Sequence, residues 1–190
     1  MYKPLIVDAS KKYGNNRWVA FSHKINRMVY LFSDLEYEHW LLIESDANVV
    51  AFCEQPLKME VLGDNKKSAS IVDMWVRYKD GQETFIEVKY SKDLSKESVV
   101  KQINVQQLWC KANNISHEVR NERNIRSNPI LLSNLKVLIK QANSRLNNNQ
   151  MEIMQIEHHI GEEHQQIQHI AINLKLEYSK VFSCICKLLH

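Results

Sequence analysis

The chain has 190 residues, of which 44% are hydrophobic and 25% are charged, and its formal net charge at pH 7 is +3. These proportions are ordinary for a globular protein, and they exclude disorder as the default state of the chain. The opening residues MYKPLIVDAS contain no apolar signal segment and no run of about 18 apolar residues occurs, so we expect neither secretion nor a membrane span.

Positive charge is concentrated in the first 33 residues, where six basic side chains stand against the single acidic Asp8. A basic opening segment is suited to contacts with DNA phosphates, and an ordinary solvated N-terminus would have the same composition. The candidate DNA-contacting residues are Lys11, Lys12, Arg17, Lys24 and Arg27.

A short strand is predicted over Arg27–Phe32, and Ser33 is a suitable N-cap for a helix that begins at Asp34. On this helix Glu36 shares a face with Trp40 and Ile43. A carboxylate at the head of an apolar stripe marks either a helix end that reaches water or a functional site.

Two further strands are predicted over 48–54 and 57–62, with Gln55-Pro56 between them because proline interrupts regular pairing. A polar turn is predicted over 63–67. These elements lead into the most informative stretch of the chain.

The stretch from Ile71 to Lys89 predicts a β-hairpin that turns at Lys79-Asp80-Gly81. A three-residue loop with Gly81 in the left-handed conformation pairs Trp75 with Phe85 and Asp73 with Glu87. A two-residue turn would place each of these residues opposite a different partner. Carboxylates directly opposite each other destabilise a sheet unless a cation lies between them, and Lys89 points to the same face.

An Asp followed after a hairpin by Glu-x-Lys is the residue set of metal-dependent phosphodiester hydrolysis. Carboxylate oxygens bind Mg²⁺, the metal polarises the phosphate and activates a water, and the ammonium supports the attacking or departing oxygen. If the helix packs across the hairpin, Glu36 supplies a third oxygen ligand. A solvated edge hairpin and a first-turn glutamate that stabilises its own helix would contain the same residues.

Beyond the hairpin, helical spacing is predicted within Ser95–Ala112, a short strand over 115–119, and a helix from near Pro129 to Ala142. Together with the earlier elements this order predicts a mixed α/β domain whose central sheet is flanked by helices.

The C-terminal part begins with the polar, Asn-rich stretch 143–150, which we interpret as a linker. Helices are predicted over Met151–Ile160, Gln166–Leu174 and Tyr178–Leu189. The last two, joined by a tight turn, fit either a helix-turn-helix without a wing or a plain helical hairpin. We therefore divide the chain into a domain of residues 1–145 and a C-terminal helical segment of residues 146–190.

Other site types find little support. Cys53, Cys110, Cys184 and Cys186 are scattered without a Cys-x-x-Cys pair, so we expect reduced, packed thiols in a cytosolic protein. The cluster of His158, His159 and His164 matches no zinc-protease spacing. With four glycines in the chain, a phosphate-cradling loop for ATP is not expected.

Several stretches together resemble the TnsA family, the endonuclease subunits of heteromeric bacterial transposases. The matching stretches are Phe32–Glu36, Val49 through Gln55-Pro56, Asp73 with its aromatic-rich strand, Phe85–Lys89 and Leu132–Lys136. The family usually has Thr-Pro before its Asp, where this chain has Ile71-Val72. Proline there shapes the strand and binds no metal, so the departure removes no ligand.

The resemblance implies a restriction-endonuclease-like core with Glu36, Asp73 and Glu87 as Mg²⁺ ligands, for which Mn²⁺ can substitute, and Lys89 as the catalytic lysine. It also places Gln55 near the site. The implied function is cleavage of the non-transferred strands at transposon ends, in the bacterial cytoplasm at the nucleoid. The implied partners are DNA, a TnsB-like transposase and a TnsC-like ATPase regulator that docks on the C-terminal part.

Two alternatives remain open from the residues. The first is a free-standing nuclease in phage defence or DNA repair that uses the same four residues. The second is a DNA-binding scaffold that keeps the nuclease fold without the chemistry, against which the complete set of Glu36, Asp73, Glu87 and Lys89 argues.

Overall fold

The computed structural model describes residues 2–5, 16–63, 66–143, 150–160 and 166–188. Contacts within the chain divide it into two compact units, Met1–Leu132 and Ser133–His190. This division lies inside the helix Pro129–Ala142. The predicted boundary after residue 145 stays a prediction, since most of the predicted linker, 144–149, is outside the described residues.

The first unit alternates strands and helices in the order that the sequence predicts, with additional strands. In the described part of this unit the elements are β1 (Trp18–Ser22), β2 (Arg27–Leu31), α1 (Asp34–Ser45), β3 (Val49–Glu54), β4 (Lys58–Gly63), β5 (Lys66–Ile71), β6 (Met74–Tyr78), β7 (Glu83–Val88), α2 (Glu97–Ala112), β8 (Ser116–Arg120) and α3 (Glu122–Ile125), after which α4 (Pro129–Ala142) begins.

The central sheet has four strands in the order β3-β6-β7-β8. Its first three strands are antiparallel, whereas β7 and β8 are parallel and are connected through α2. A parallel pair needs such a crossover connection. Two separate two-stranded sheets, β1-β2 and β4-β5, complete the strands of this unit that the structure describes.

Helices cover the two faces of this sheet. Phe85 in β7 contacts Trp109 of α2 edge to face, with ring centroids 5.7 Å apart. Ile86, which points to the opposite face, lines a cavity of about 160 Å³ together with His39 and Ile43 of α1. The predicted mixed α/β class with a helix-flanked sheet is therefore confirmed, and it is consistent with a restriction-endonuclease-like core.

The register of the β6-β7 hairpin is the predicted one. Trp75 pairs with Phe85 and Arg77 with Glu83. Gly81 has φ +86°, and its N–H donates to the carbonyl of Tyr78 at 3.0 Å, which closes a three-residue loop. Because the loop length fixes the register, this one glycine determines which side chains share a face.

Two predicted boundaries are wrong. Ile71 does not begin the hairpin but ends β5, where it pairs with Lys58 of β4. The predicted turn over 63–67 overlaps the start of the same strand, whose sequence KKSASI has little of the apolar alternation typical of a strand. Strand β1 lies in the segment interpreted as a basic arm, so that segment is partly structured.

The second unit contains α5 (Gln150–Ile160), α6 (Ile167–Leu174) and α7 (Tyr178–Leu188), so its three predicted helices are confirmed. Their shared core includes Ile156, Ile170, Val181 and Cys184. Lys175, at φ +55°, ends α6, and the N–H of Leu176 donates to the carbonyl of Ala171 at 3.0 Å. A DNA-binding role for this helix pair stays a prediction.

The four cysteines are buried free thiols, as expected for packed side chains. No helix among the described residues is long and apolar enough to cross a bilayer.

The left-handed conformation of Gly81 predicts the effect of Gly81→Val. A Cβ at this position would meet no atom within 4 Å, so only backbone strain opposes the substitution. We expect the free energy of unfolding to fall by about 1–2 kcal/mol, the cost of a left-handed conformation for a bulky residue. Urea unfolding followed by tryptophan fluorescence measures this change, because Trp18, Trp40, Trp75 and Trp109 all lie in the first unit. Gly81→Asn is the control and should lose less, and equal losses would contradict the argument.

Burial of His39 predicts acid sensitivity. Its side chain is buried, its Nδ1 has no hydrogen-bond partner among the described residues, and burial lowers its pKa to about 3. Between about pH 6.5 and pH 3 the unfolded chain therefore binds a proton that the folded chain does not, and stability falls on acidification by up to about 1.4 kcal/mol per pH unit. We expect His39→Phe to reduce this slope in urea unfolding between pH 4 and 7. A slope equal to that of the parent chain would show that His39 does not cause the acid sensitivity.

Candidate active site

Three of the predicted catalytic residues meet at the end of the central hairpin. Asp73 directly precedes β6, Glu87 is near the end of β7, and Lys89 follows that strand. The Lys89 ammonium contacts the Glu87 carboxylate directly and lies 3.5 Å from Oδ2 of Asp73. The same Oδ2 accepts a hydrogen bond from the backbone N–H of Val88 at 2.8 Å, which fixes Asp73 against β7.

The electrostatics of this group follow from its burial. Glu87 is 0% exposed, and burial, followed by the negative charge of Asp73, raises the pKa of its carboxyl. Burial alone would lower the pKa of Lys89, but the carboxylates of Asp73 and Glu87 outweigh it and raise that pKa. Lys89 is therefore a fixed positive charge shared by two acidic side chains.

Two glutamines of α2, which sequence reasoning missed, hold the Glu87 carboxylate from the other side. The Nε2 of Gln102 donates to one carboxylate oxygen and the Nε2 of Gln106 to the other, both at 2.7 Å. Gln106 is fully buried and also donates to the Ser70 hydroxyl at 2.9 Å. Their spacing of four residues, on the face of a helix that carries apolar side chains, is the signal that could have found them.

The network continues to β8 through His117. The Nε2 of His117 lies 2.9 Å from the amide oxygen of Gln106, which can only accept, so this nitrogen carries the proton. Its Nδ1 is buried without a partner among the described residues, and burial lowers the pKa of the ring. A neutral imidazole thus fixes the orientation of the Gln106 amide.

Gln55 lies beside Asp73, where the resemblance placed it. It has φ +43°, in the left-handed region, and its N–H donates to the carbonyl of Asp73 at 2.9 Å. Its own carbonyl accepts a hydrogen bond from the N–H of Leu5 at 2.9 Å. The strained backbone therefore positions Asp73, while a chemical role for the Gln55 side chain stays a prediction.

Glu36 is half-buried in the first turn of α1 and is held there by local hydrogen bonds. Its carboxylate accepts from the N–H of Phe32 at 3.1 Å and from the hydroxyl of Ser33 at 3.0 Å. Its charge also raises the pKa of Lys89, more weakly than Asp73 and Glu87 do. In the part of the chain that the structure describes, no three His, Cys, Asp or Glu side chains are grouped to hold a metal ion. Metal binding by Glu36 therefore stays a prediction.

The basic residues predicted to contact DNA have varied surroundings. The Lys24 ammonium donates to the carbonyls of Asp46 at 2.6 Å and Val49 at 2.9 Å, a structural contact. Arg27 forms a two-bond ion pair with buried Glu54 at 2.7 and 2.6 Å. Arg17 is exposed, and Lys11 and Lys12 lie outside the described residues. Contact of these five residues with DNA stays a prediction.

A cavity of about 540 Å³ opens at Asp73 and Lys89. Its lining consists mainly of polar residues from β4, β5 and α2 and from the three connections that contain Gln55, Asp73 and Lys89. The lining residues are Gln55, Lys58, Ala69, Ser70, Ile71, Asp73, Lys89 and Gln102. The cavity therefore gives a phosphate access to the Asp73 carboxylate and the Lys89 ammonium at one point.

The shared ammonium predicts opposite effects of two substitutions on stability. Asp73→Asn removes one of two like charges and keeps an oxygen for the Val88 N–H, so we expect unfolding free energy to rise by about 0.2–1 kcal/mol. Lys89→Met leaves both carboxylates without a cation, and we expect a loss of about 2 kcal/mol, less than for a fully buried pair because the side chain is 23% exposed.

Both changes are measured by urea unfolding with tryptophan fluorescence at pH 7. The double variant should be more stable than Lys89→Met alone, because it contains one uncompensated carboxylate fewer. A Lys89→Met variant as stable as the parent chain would show that the ammonium does not neutralise this pair.

A comparison with protein families locates the chain among known proteins. Residues 46–122 match the family described as TnsA-like endonuclease N terminal. The match begins just after α1 and includes Asp73, Glu87 and Lys89 together with the two glutamines of α2, whereas Glu36 lies before it. No curated protein matches the chain significantly.

Proposed function

We propose that this chain, whose residues 46–122 match the TnsA-like endonuclease family, is a Mg²⁺-dependent DNA endonuclease that acts as a transposase subunit. The observation that carries the proposal is the contact of Asp73 and Glu87 with one ammonium, that of Lys89, beside a polar cavity. The family match over residues 46–122 supports the nuclease class, and the side chains support the choice of catalytic residues.

The side chains of Asp73 and Glu87 are of the type that binds a hard divalent cation. Asp73 and Glu87 offer carboxylate oxygens, which Mg²⁺ prefers, and both already contact one positive group. In the proposed site these two side chains would hold the metal, with Glu36 as the third ligand. When bound, Mg²⁺ polarises the scissile phosphodiester and activates the attacking water.

The chain's own residues orient and neutralise the reacting groups. Gln102 and Gln106 fix both oxygens of Glu87, so the carboxylate is held before substrate arrives. The backbone N–H of Val88 does the same for Asp73. Lys89, whose pKa is raised by its neighbours, holds a proton and a positive charge where the phosphate or the departing oxygen can use them.

The family also suggests the place of this activity in transposition. We propose that the chain cuts the non-transferred strands at transposon ends, while a TnsB-like transposase cuts and joins the other strands. The second unit, with its own apolar core around Ile156, Ile170 and Val181, is the proposed docking part for a TnsC-like ATPase regulator.

Nicking of supercoiled plasmid that carries transposon ends tests the proposal, in the presence of the partner transposase and Mg²⁺. We expect Asp73→Ala and Lys89→Ala to lower the nicking rate by about 10²–10³-fold, the usual cost of removing one preorganised charged or polar group. Glu36→Gln should lower it as well if this side chain is the third ligand. Chelation of the metal should abolish nicking, and Mn²⁺ should restore it.

Lys101→Ala is the matched control, since Lys101 is an exposed lysine of α2 that pairs with Glu97. It should retain the parent rate. Tryptophan fluorescence confirms that each variant is folded. Full cleavage by both folded Asp73→Ala and Lys89→Ala would overturn the assignment, and cleavage without any transposase would favour a free-standing nuclease.

A further inference from the structure

Strands β4 and β5 form a two-stranded ribbon outside the central sheet. Six residue pairs join them, from Lys58 opposite Ile71 to Gly63 opposite Lys66. One face of the ribbon packs inward, because Met59 is 0% exposed within the core and Ser70 is bonded to Gln106. The alternation of side chains along a strand then turns the other face outward.

This outer face carries two lysines, one glutamate and one exposed leucine. The side chains of Lys58 and Lys67 are 56% and 65% exposed, and both ammonium groups pair with Glu60, at 2.9 Å and 2.5 Å. Leu62, which lies directly opposite Lys67, is 81% exposed. The outer face is therefore positively charged on balance and has an apolar side chain toward its far end.

The outer face is continuous with the candidate active site. Lys58, Ala69 and Ile71, all on this face, line the same cavity as Asp73 and Lys89. From Ile71 to Lys67 the strand extends by about 13 Å at roughly 3.3 Å per residue. That length corresponds to about four nucleotides of one DNA strand. A duplex whose scissile phosphate lies at Lys89 would therefore extend along the ribbon.

We propose that the outer face of the β4-β5 ribbon binds duplex DNA beside the scissile phosphate, an inference that rests on the proposed nuclease function. Lys58 and Lys67 exchange Glu60 for backbone phosphates, and Leu62 makes an apolar contact in the groove. A DNA major groove, about 12 Å wide, admits a two-stranded ribbon. The charge and the continuity with the cavity favour DNA over a protein partner, since phosphates are the ligand that the neighbouring site would process.

The test measures DNA binding separately from cleavage. In an Asp73→Ala background, fluorescence anisotropy with a labelled duplex gives the affinity over a series of salt concentrations. Lys58→Ala and Lys67→Ala should each weaken binding several-fold and make the slope of log affinity against log salt shallower by about 0.9, as expected for one lost phosphate contact. Leu62→Ala should weaken binding without changing this slope.

Lys101→Ala, an exposed α2 lysine that is paired with a glutamate as the ribbon lysines are, is the matched control and should keep both affinity and slope. Ribbon variants that bind DNA as Lys101→Ala does would overturn the inference, even if the parent chain nicks DNA. If the parent chain does not nick DNA but the ribbon variants lose affinity, the nuclease proposal fails and the ribbon remains a DNA-binding surface. A change of oligomeric state in Leu62→Ala, seen by light scattering, would instead identify a contact between copies and overturn the inference.

Discussion

The first unit depends on one ammonium between two carboxylates. Asp73 and Glu87 lie on adjoining parts of one hairpin, and Glu87 is fully buried, so their mutual repulsion is not screened by water. Lys89 contacts both and neutralises part of this charge. Replacement of all three charged side chains by packed apolar groups would serve stability better. Buried charges of this kind are common where a substrate or a cation is bound, which supports the proposed chemistry.

The polar network around Glu87 holds its carboxylate in one orientation. Gln106 joins Ser70 of β5, Glu87 of β7 and His117 of β8 through one buried amide. Such a network is costly when only partly satisfied, and it specifies one orientation of every member when it is complete. Since these residues come from three strands and a helix, the carboxylate is fixed by the fold as a whole. The position of Glu87 is thus preorganised rather than set by its own strand alone.

The sequence predicts what depends on local geometry and misses what depends on distant partners. Gly81 and the alternation of apolar side chains determine the hairpin register, so the proximity of Asp73, Glu87 and Lys89 follows from the sequence. Strand β5, with the sequence KKSASI, is stabilised by backbone pairing with β4. Its own composition does not predict a strand. Arg27 and Lys24 look like phosphate ligands in the sequence, yet their partners, Glu54 and two backbone carbonyls, lie more than twenty residues away.

Glu36 shows how a local and a distant role can combine in one side chain. The sequence Ser-x-x-Glu predicts a capping arrangement, and the structure contains it, with the Glu36 N–H donating to the Ser33 hydroxyl at 3.1 Å. This capping contact is local, and it does not involve the apolar side chains of Trp40 and Ile43 on the same face of α1. Its charge, however, raises the pKa of Lys89, to which Asp73 and Glu87 also contribute. Asp73 and Glu87 thus act on the Lys89 ammonium through direct contact, whereas Glu36 adds a weaker electrostatic effect from the end of a helix.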